Sequence, residues 1–120
     1  MKQITTRLYL ANTISDEQLD RLSPNLVVVL DSGNNESKYA TFCMRKGFIS
    51  KIHDVTPPFE AEVEKYAKMS DFVFATGDKI LVLSNSSRSM HMYAEKLISC
   101  VTGMHPQDAA EFVRNKIAKN

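Results

Sequence analysis

One stretch of the chain, residues 80–103, combines a strand, a polar turn and a helix. Ile80–Leu83 are four apolar residues in a row, a pattern typical of a short buried strand. The next four residues, Ser84–Ser87, are small and polar, and such residues turn the chain or cap a helix. Arg88 then begins a segment that we expect to form about three turns of helix. The expected stop is Gly103, because glycine readily adopts the conformation of a helix C-cap.

This arrangement predicts a site for an anion. Backbone N–H groups point outward at a helix N-terminus, where the helix dipole is positive, and the guanidinium of Arg88 adds a planar set of donors. The predicted anion-binding residues are those of the turn and the start of the helix: Ser84, Asn85, Ser86, Ser87, Arg88 and Ser89.

The first half of the chain alternates strands and helices. Residues 3–11 predict one or two short strands, after which Asn12 turns the chain. Ser15 and Gln18 have the spacing of a capping box, so a helix should begin there. Leu26–Leu30 is a continuous, largely β-branched run, which favours a central strand buried on both faces. The residues expected to face inward before that strand are Ile4, Leu8, Leu10, Leu19 and Leu22.

The remaining segments continue the alternation. We expect a helix at about Glu36–Lys46, a strand at Phe48–Val55, a long helix from Pro58 and a last helix that opens at His105. In the helix that begins at Arg88 and in the last helix, the residues expected to face inward are Met92, Leu97, Ile98, Ala109, Phe112, Val113 and Ile117. The sequence therefore predicts one α/β domain over residues 1–120, a three-layer sandwich with a largely parallel sheet of four to five strands and helices on both faces.

Composition excludes several function classes. Fifteen basic and fourteen acidic residues give a net charge of +1, which does not favour nucleic-acid binding. No apolar stretch approaches the ~18 residues of a membrane span. Two separated cysteines without a Cys-x-x-Cys motif fit a reducing compartment, so we expect a cytoplasmic protein. His91 and His105 lack metal-ligand spacing, and neither a metal nor a cofactor is expected.

Five segments, taken in chain order, resemble the cysteine-dependent phosphatases. Arg7–Asn12 is similar to the "LYLGN" opening of dual-specificity phosphatases, and Thr102–Arg114 is similar to their closing helix. The "TISDEQLDRL" helix and the "IHDVTP" strand end are similar to a smaller bacterial relative, the beta-lactamase-hydrolase-like phosphatase domain. LVLSNSSRS resembles the phosphate-binding loop, whose pattern is His-Cys, five residues, Arg and Ser/Thr. The resemblance implies a phosphatase-like fold.

The resemblance breaks at the nucleophile. If Ser84 takes the place of the cysteine, three residues separate it from Arg88 where the family has five; counting back from the arginine puts Val82 there instead. Cys43 and Cys100 fall in expected helices away from the turn. A thiolate serves the family because a helix N-terminus and an arginine lower the thiol pKa. A serine hydroxyl is a weak nucleophile without an adjacent base.

Asp54 is the candidate for a general acid. The resemblance implies an aspartate in the loop after this strand, although Asp54 comes one or two positions early; a solvated strand end is the competing interpretation. Asp31–Asn35 is a third loop at a strand's carboxyl end, where ligands of open α/β sheets lie, and it is composed of ordinary turn-forming residues.

The residues favour a pseudophosphatase, a phosphatase-like domain without its nucleophile that binds an anion, a small phosphate ligand or a phosphorylated protein. One alternative is an active phosphoesterase with Ser84 as nucleophile and Asp54 as acid. A second is a structural or interaction domain that binds no ligand, and a third is a rhodanese-like sulfurtransferase, which also needs a loop cysteine.

Overall fold

The computed structural model describes residues 1–30, 51–54, 67–68, 79–84 and 87–119. Its elements, in chain order, are strands β1 (Lys2–Thr5) and β2 (Leu8–Ala11), helix α1 (Asp16–Leu22), strands β3 (Leu26–Val29), β4 (Lys51–Asp54) and β5 (Ile80–Leu83), and helices α2 (Ser87–Thr102) and α3 (Pro106–Lys119). The helix expected at Glu36–Lys46 lies outside the described residues. Of the helix expected from Pro58, only Ala67 and Lys68 are described, and both are helical.

The strands form one sheet in the order β1-β2-β5-β3-β4. β1 pairs with β2 in antiparallel fashion, whereas β2 with β5, β5 with β3 and β3 with β4 are parallel pairs. The predicted largely parallel sheet is therefore confirmed, with five strands. β5 lies in the middle of this order, so the turn that follows it leaves the centre of the sheet.

Helices cover both faces of the sheet. On one face, alternate sheet residues pack with Leu19 and Leu22 of α1. On the other face, the intervening residues pack with α2, α3 and Ala67. Val27 packs on the face covered by α1 and Val28 on the face covered by α2 and α3, and both are fully buried. The expected burial of Leu26–Leu30 on both faces is confirmed, and so is the three-layer arrangement.

The start of α1 follows from its own sequence. The hydroxyl of Ser15 accepts a hydrogen bond from the Gln18 N–H at 3.1 Å, and the Gln18 side-chain oxygen accepts one from the Ser15 N–H at 3.1 Å. This is the predicted capping box, which satisfies two N–H groups that the helix leaves without helical partners. α1 ends at Leu22, and Ser23 takes a left-handed conformation with φ 49°.

Helices α2 and α3 form the outer layer on the second face. α2 has 16 residues, more than the three turns expected, and ends before Gly103, whose N–H bonds to the Ser99 carbonyl at 3.0 Å. The φ of Gly103 is +73°, which explains the glycine at this stop. The expected inward residues Leu97, Ile98, Ala109 and Val113 are buried, and Met92, Phe112 and Ile117 are partly buried.

Candidate functional site

The carboxyl ends of the parallel strands meet at one edge of the sheet. The pairing places Leu83 of β5 level with Ala11 of β2 on one side and with Val29 of β3 on the other. Asp54 of β4 is level with Val29 in turn. Ligands of open α/β sheets lie beyond this edge, so the residues that follow β5 are in position for binding.

Ser84 is the first residue beyond β5. It exposes 1% of its surface, so this polar residue is buried. Its N–H donates to the carbonyl of Ala11 at 3.3 Å, and its carbonyl accepts from the side-chain amide of Asn12 at 3.0 Å. On the other side, the N–H of Leu30 donates to the Leu83 carbonyl at 2.9 Å. Both neighbouring strands thus hold the chain where it leaves β5.

The N-terminal turn of α2 begins three residues later. Ser87 and Arg88 are exposed, and no acidic residue lies in this first turn. By contrast, α1 carries Asp16 and Glu17 in its first turn. Because carboxylates there offset the positive end of the helix dipole, the start of α2 keeps that positive end without an acidic group of its own.

The structure describes four of the six predicted anion-site residues. Ser84 lies at the centre of the sheet edge and Arg88 in the first turn of α2, as expected. Ser87 was assigned to the turn, which is wrong: it is the first residue of α2, because the helix extends one residue further toward the strand. Ser89 is in the same helical turn. Asn85 and Ser86 lie outside the described residues.

Asp54 ends β4, two strands away from β5. With neighbouring strands ~4.8 Å apart, the backbone of Asp54 lies about 10 Å from that of Leu83 at the same edge. This position is within reach of a ligand that spans the edge. The loop at Asp31–Asn35 lies outside the described residues.

The thiol of Cys100 is remote from this edge. It is exposed near the C-terminal end of α2, 13 residues beyond Ser87, which corresponds to about 20 Å along the helix axis. Cys43 lies outside the described residues. Within residues 84–89 the sequence holds no cysteine.

The histidines and acidic residues do not assemble into a metal site in the described part of the chain. No three His, Cys, Asp or Glu residues come together there as metal ligands. His105 instead accepts a hydrogen bond at Nδ1 from the Gln107 N–H at 3.2 Å and so caps α3. No described helix is both long and apolar enough to cross a membrane.

Asn12 is a residue of this edge whose role the sequence did not reveal. The sequence predicted only that it turns the chain after β2. In the structure its side chain bonds to Ser84, a residue 72 positions away. No periodicity or local motif encodes such a contact, so only the parallel pairing of β2 with β5 could have pointed to it.

The chain has the fold of the protein tyrosine and dual-specificity phosphatases. Tk-PTP in its active form superimposes with a TM-score of 0.74 at 17% identity, over 96% of this chain and 82% of that chain. Human DUSP28 superimposes with a TM-score of 0.69 at 17% identity, over 97% of this chain and 82% of that chain. No protein-family model matches the sequence, and no curated protein matches it significantly. The likeness establishes the fold.

Proposed function

We propose that this chain is a pseudophosphatase: a phosphatase-like domain that lacks a nucleophile and binds phosphate at the turn between Ser84 and Arg88. The observation that carries the proposal is the placement of a buried serine, rather than a thiol, at the end of the central strand, three residues before the first residue of a helix. Arg88 is exposed in the first turn of that helix, where its guanidinium can reach an anion held at the N-terminus.

The chemistry of Ser84 supports binding without turnover. A serine hydroxyl needs an adjacent base to attack a phosphate, whereas a thiol in this position is activated by the helix and the arginine alone. Ser84 also exposes only 1% of its surface, so its hydroxyl presents almost no area to a substrate. Cys100 lies about 20 Å along α2 and is too far to substitute.

The turn sets the expected affinity. It is two residues shorter than the loop of the family it resembles, and so it offers fewer N–H donors to the anion. Each charge-assisted hydrogen bond contributes about 1.5–3 kcal/mol before the anion loses its water. We therefore expect inorganic phosphate to bind with a Kd on the order of millimolar. The physiological ligand is then a small phosphate compound or a phosphorylated protein, and we place the domain in the cytoplasm because its cysteine usage fits a reducing compartment.

One observation favours an active alternative. Asp54 ends a strand at the same edge as Ser84, so the two residues suit the acid and nucleophile of a phosphoesterase. That alternative requires hydrolysis that depends on Ser84, which the proposed function excludes.

The test is a phosphate titration of wild type and three arginine variants. Arg88→Ala removes the proposed ligand, and Arg114→Ala on the exposed face of α3 makes the same change in net charge elsewhere. At constant ionic strength, phosphate at ten times its Kd should raise the free energy of unfolding of wild type and of Arg114→Ala by about 1.4 kcal/mol. Phosphate should raise the free energy of unfolding of Arg88→Ala much less. Arg88→Lys should restore little of the stabilisation by phosphate, because the planar guanidinium is lost.

Equal stabilisation of all four proteins would contradict the proposal. Phosphate also stabilises proteins by exclusion from their surfaces, an effect that a single arginine does not change. In that case the domain is a scaffold without an anion site at this turn.

A further inference from the structure

We infer that Asn12 is a positioning residue for the anion site, acting through the main chain of Ser84. This inference rests on the proposed function and concerns how the site is held in shape. Asn12 is exposed, and its side-chain amide donates to the Ser84 carbonyl at 3.0 Å. It therefore adds little to the core, yet it is joined to the residue from which the turn begins.

The bond from Asn12 acts together with two main-chain bonds at the end of β5. The Ser84 N–H donates to Ala11 at 3.3 Å, and Leu30 donates to Leu83 at 2.9 Å. These two bonds continue the ladders of the sheet. The bond from Asn12 is different, because it comes from a side chain and fixes a carbonyl that lies beyond the strand.

Holding this carbonyl has two consequences for an anion. A carbonyl oxygen carries partial negative charge, and the Asn12 amide offsets that charge beside the site. Because a peptide unit is planar, holding the oxygen toward β2 also sets the direction in which the chain enters the turn. Without Asn12, the site must fix that direction when the anion binds, which weakens binding.

The opposite end of β5 supplies a matched control. There the side-chain oxygen of Asn25, which is also exposed, accepts a hydrogen bond from the Lys79 N–H at 3.0 Å. Asn12→Ala and Asn25→Ala thus each remove one bond between an asparagine side chain and the main chain beside the same strand. Only the first lies at the edge where the anion is proposed to bind.

The experiment measures the Kd of inorganic phosphate and the urea midpoint for wild type, Asn12→Ala, Asn12→Asp and Asn25→Ala. Loss of one hydrogen bond should raise the Kd of Asn12→Ala about fivefold. Asn12→Asp has the same shape but cannot donate when ionised, and its carboxylate repels phosphate. Its Kd should therefore rise further, and more at low salt than at high salt. Asn25→Ala should lower the urea midpoint to a similar extent as Asn12→Ala and keep the wild-type Kd.

Two results would overturn the inference while the anion site stands. In the first, Asn12→Ala binds phosphate with the wild-type Kd. In the second, the Kd of Asn25→Ala rises as much as that of Asn12→Ala, which would make the effect one of general stability. If wild type and Arg88→Ala bind phosphate alike, the proposed function fails and the inference fails with it.

Discussion

The two faces of strand β3 can be tested by truncating two consecutive residues. Val27 packs on the side of α1 and Val28 on the side of α2 and α3, and each is 0% exposed. In a sheet covered on one face only, one of two consecutive residues faces water, and its truncation changes stability little. In the three-layer arrangement, Val27→Ala and Val28→Ala should both be destabilising.

The expected size of each effect follows from the buried groups removed. Each substitution deletes two buried carbon groups at ~0.8 kcal/mol apiece, and the cavity left behind adds to this, so each should cost about 2–3 kcal/mol. A domain of 120 residues has a stability of roughly 6–18 kcal/mol, at about 0.05–0.15 kcal/mol per residue. Both variants should remain folded. With an m-value of about 2 kcal/mol/M in urea, each midpoint should fall by about 1–1.5 M.

The measurement is urea unfolding followed by circular dichroism. Val28→Asp serves as the stronger perturbation, because it places an unpaired charge in the core and should unfold the protein. A loss below about 0.5 kcal/mol for either alanine variant, the range typical of surface positions, would refute the three-layer packing. A soluble, cooperatively folding Val28→Asp variant would refute it as well.

Three further predictions concern local structure and catalysis. Ser15→Ala breaks the capping box with Gln18 and should lower the free energy of unfolding by about 1 kcal/mol. Ser15→Thr should retain most of the stability that the cap contributes. Equal urea midpoints for wild type and Ser15→Ala would contradict this prediction. Gly103→Ala should cost about 1 kcal/mol through its φ of +73° alone, because an added Cβ meets no atom of the other described residues within 4 Å beyond its chain neighbours. An unchanged midpoint would argue against that backbone conformation. Wild type should hydrolyse an aryl phosphate no faster than the buffer does; turnover that disappears in Ser84→Ala would instead establish the serine phosphoesterase.

Much of the fold follows from signals that act over short distances in the sequence. Leu26–Leu30 and Ile80–Leu83 are apolar without interruption because they are covered on both faces, and this property alone predicts central parallel strands. The capping box of Ser15 and the stop at Gly103 are likewise local, because each depends on the residue's own backbone and near neighbours.

Contacts between distant segments were harder to predict. Tyr93 and Ala94 are fully buried but were absent from the residues expected to face inward, because α2 packs against α3 as well as the sheet and buries a wider stripe than one contact requires. The bond from Asn12 to Ser84 depends on the pairing of β2 with β5. The sequence predicts Ser84 and Arg88 as anion-site residues, and it gives no signal for the contact between Asn12 and Ser84.

A crystal grown in phosphate tests the anion site most directly. We expect an ordered phosphate at the N-terminus of α2, about 2.7–3.2 Å from the Arg88 guanidinium nitrogens and with no covalent bond to Ser84. The same crystals of Arg88→Ala should lack it. A turn without an anion at saturating phosphate would contradict the proposed function by removing the site. A phosphate bonded to the Ser84 oxygen would contradict it by showing a working nucleophile.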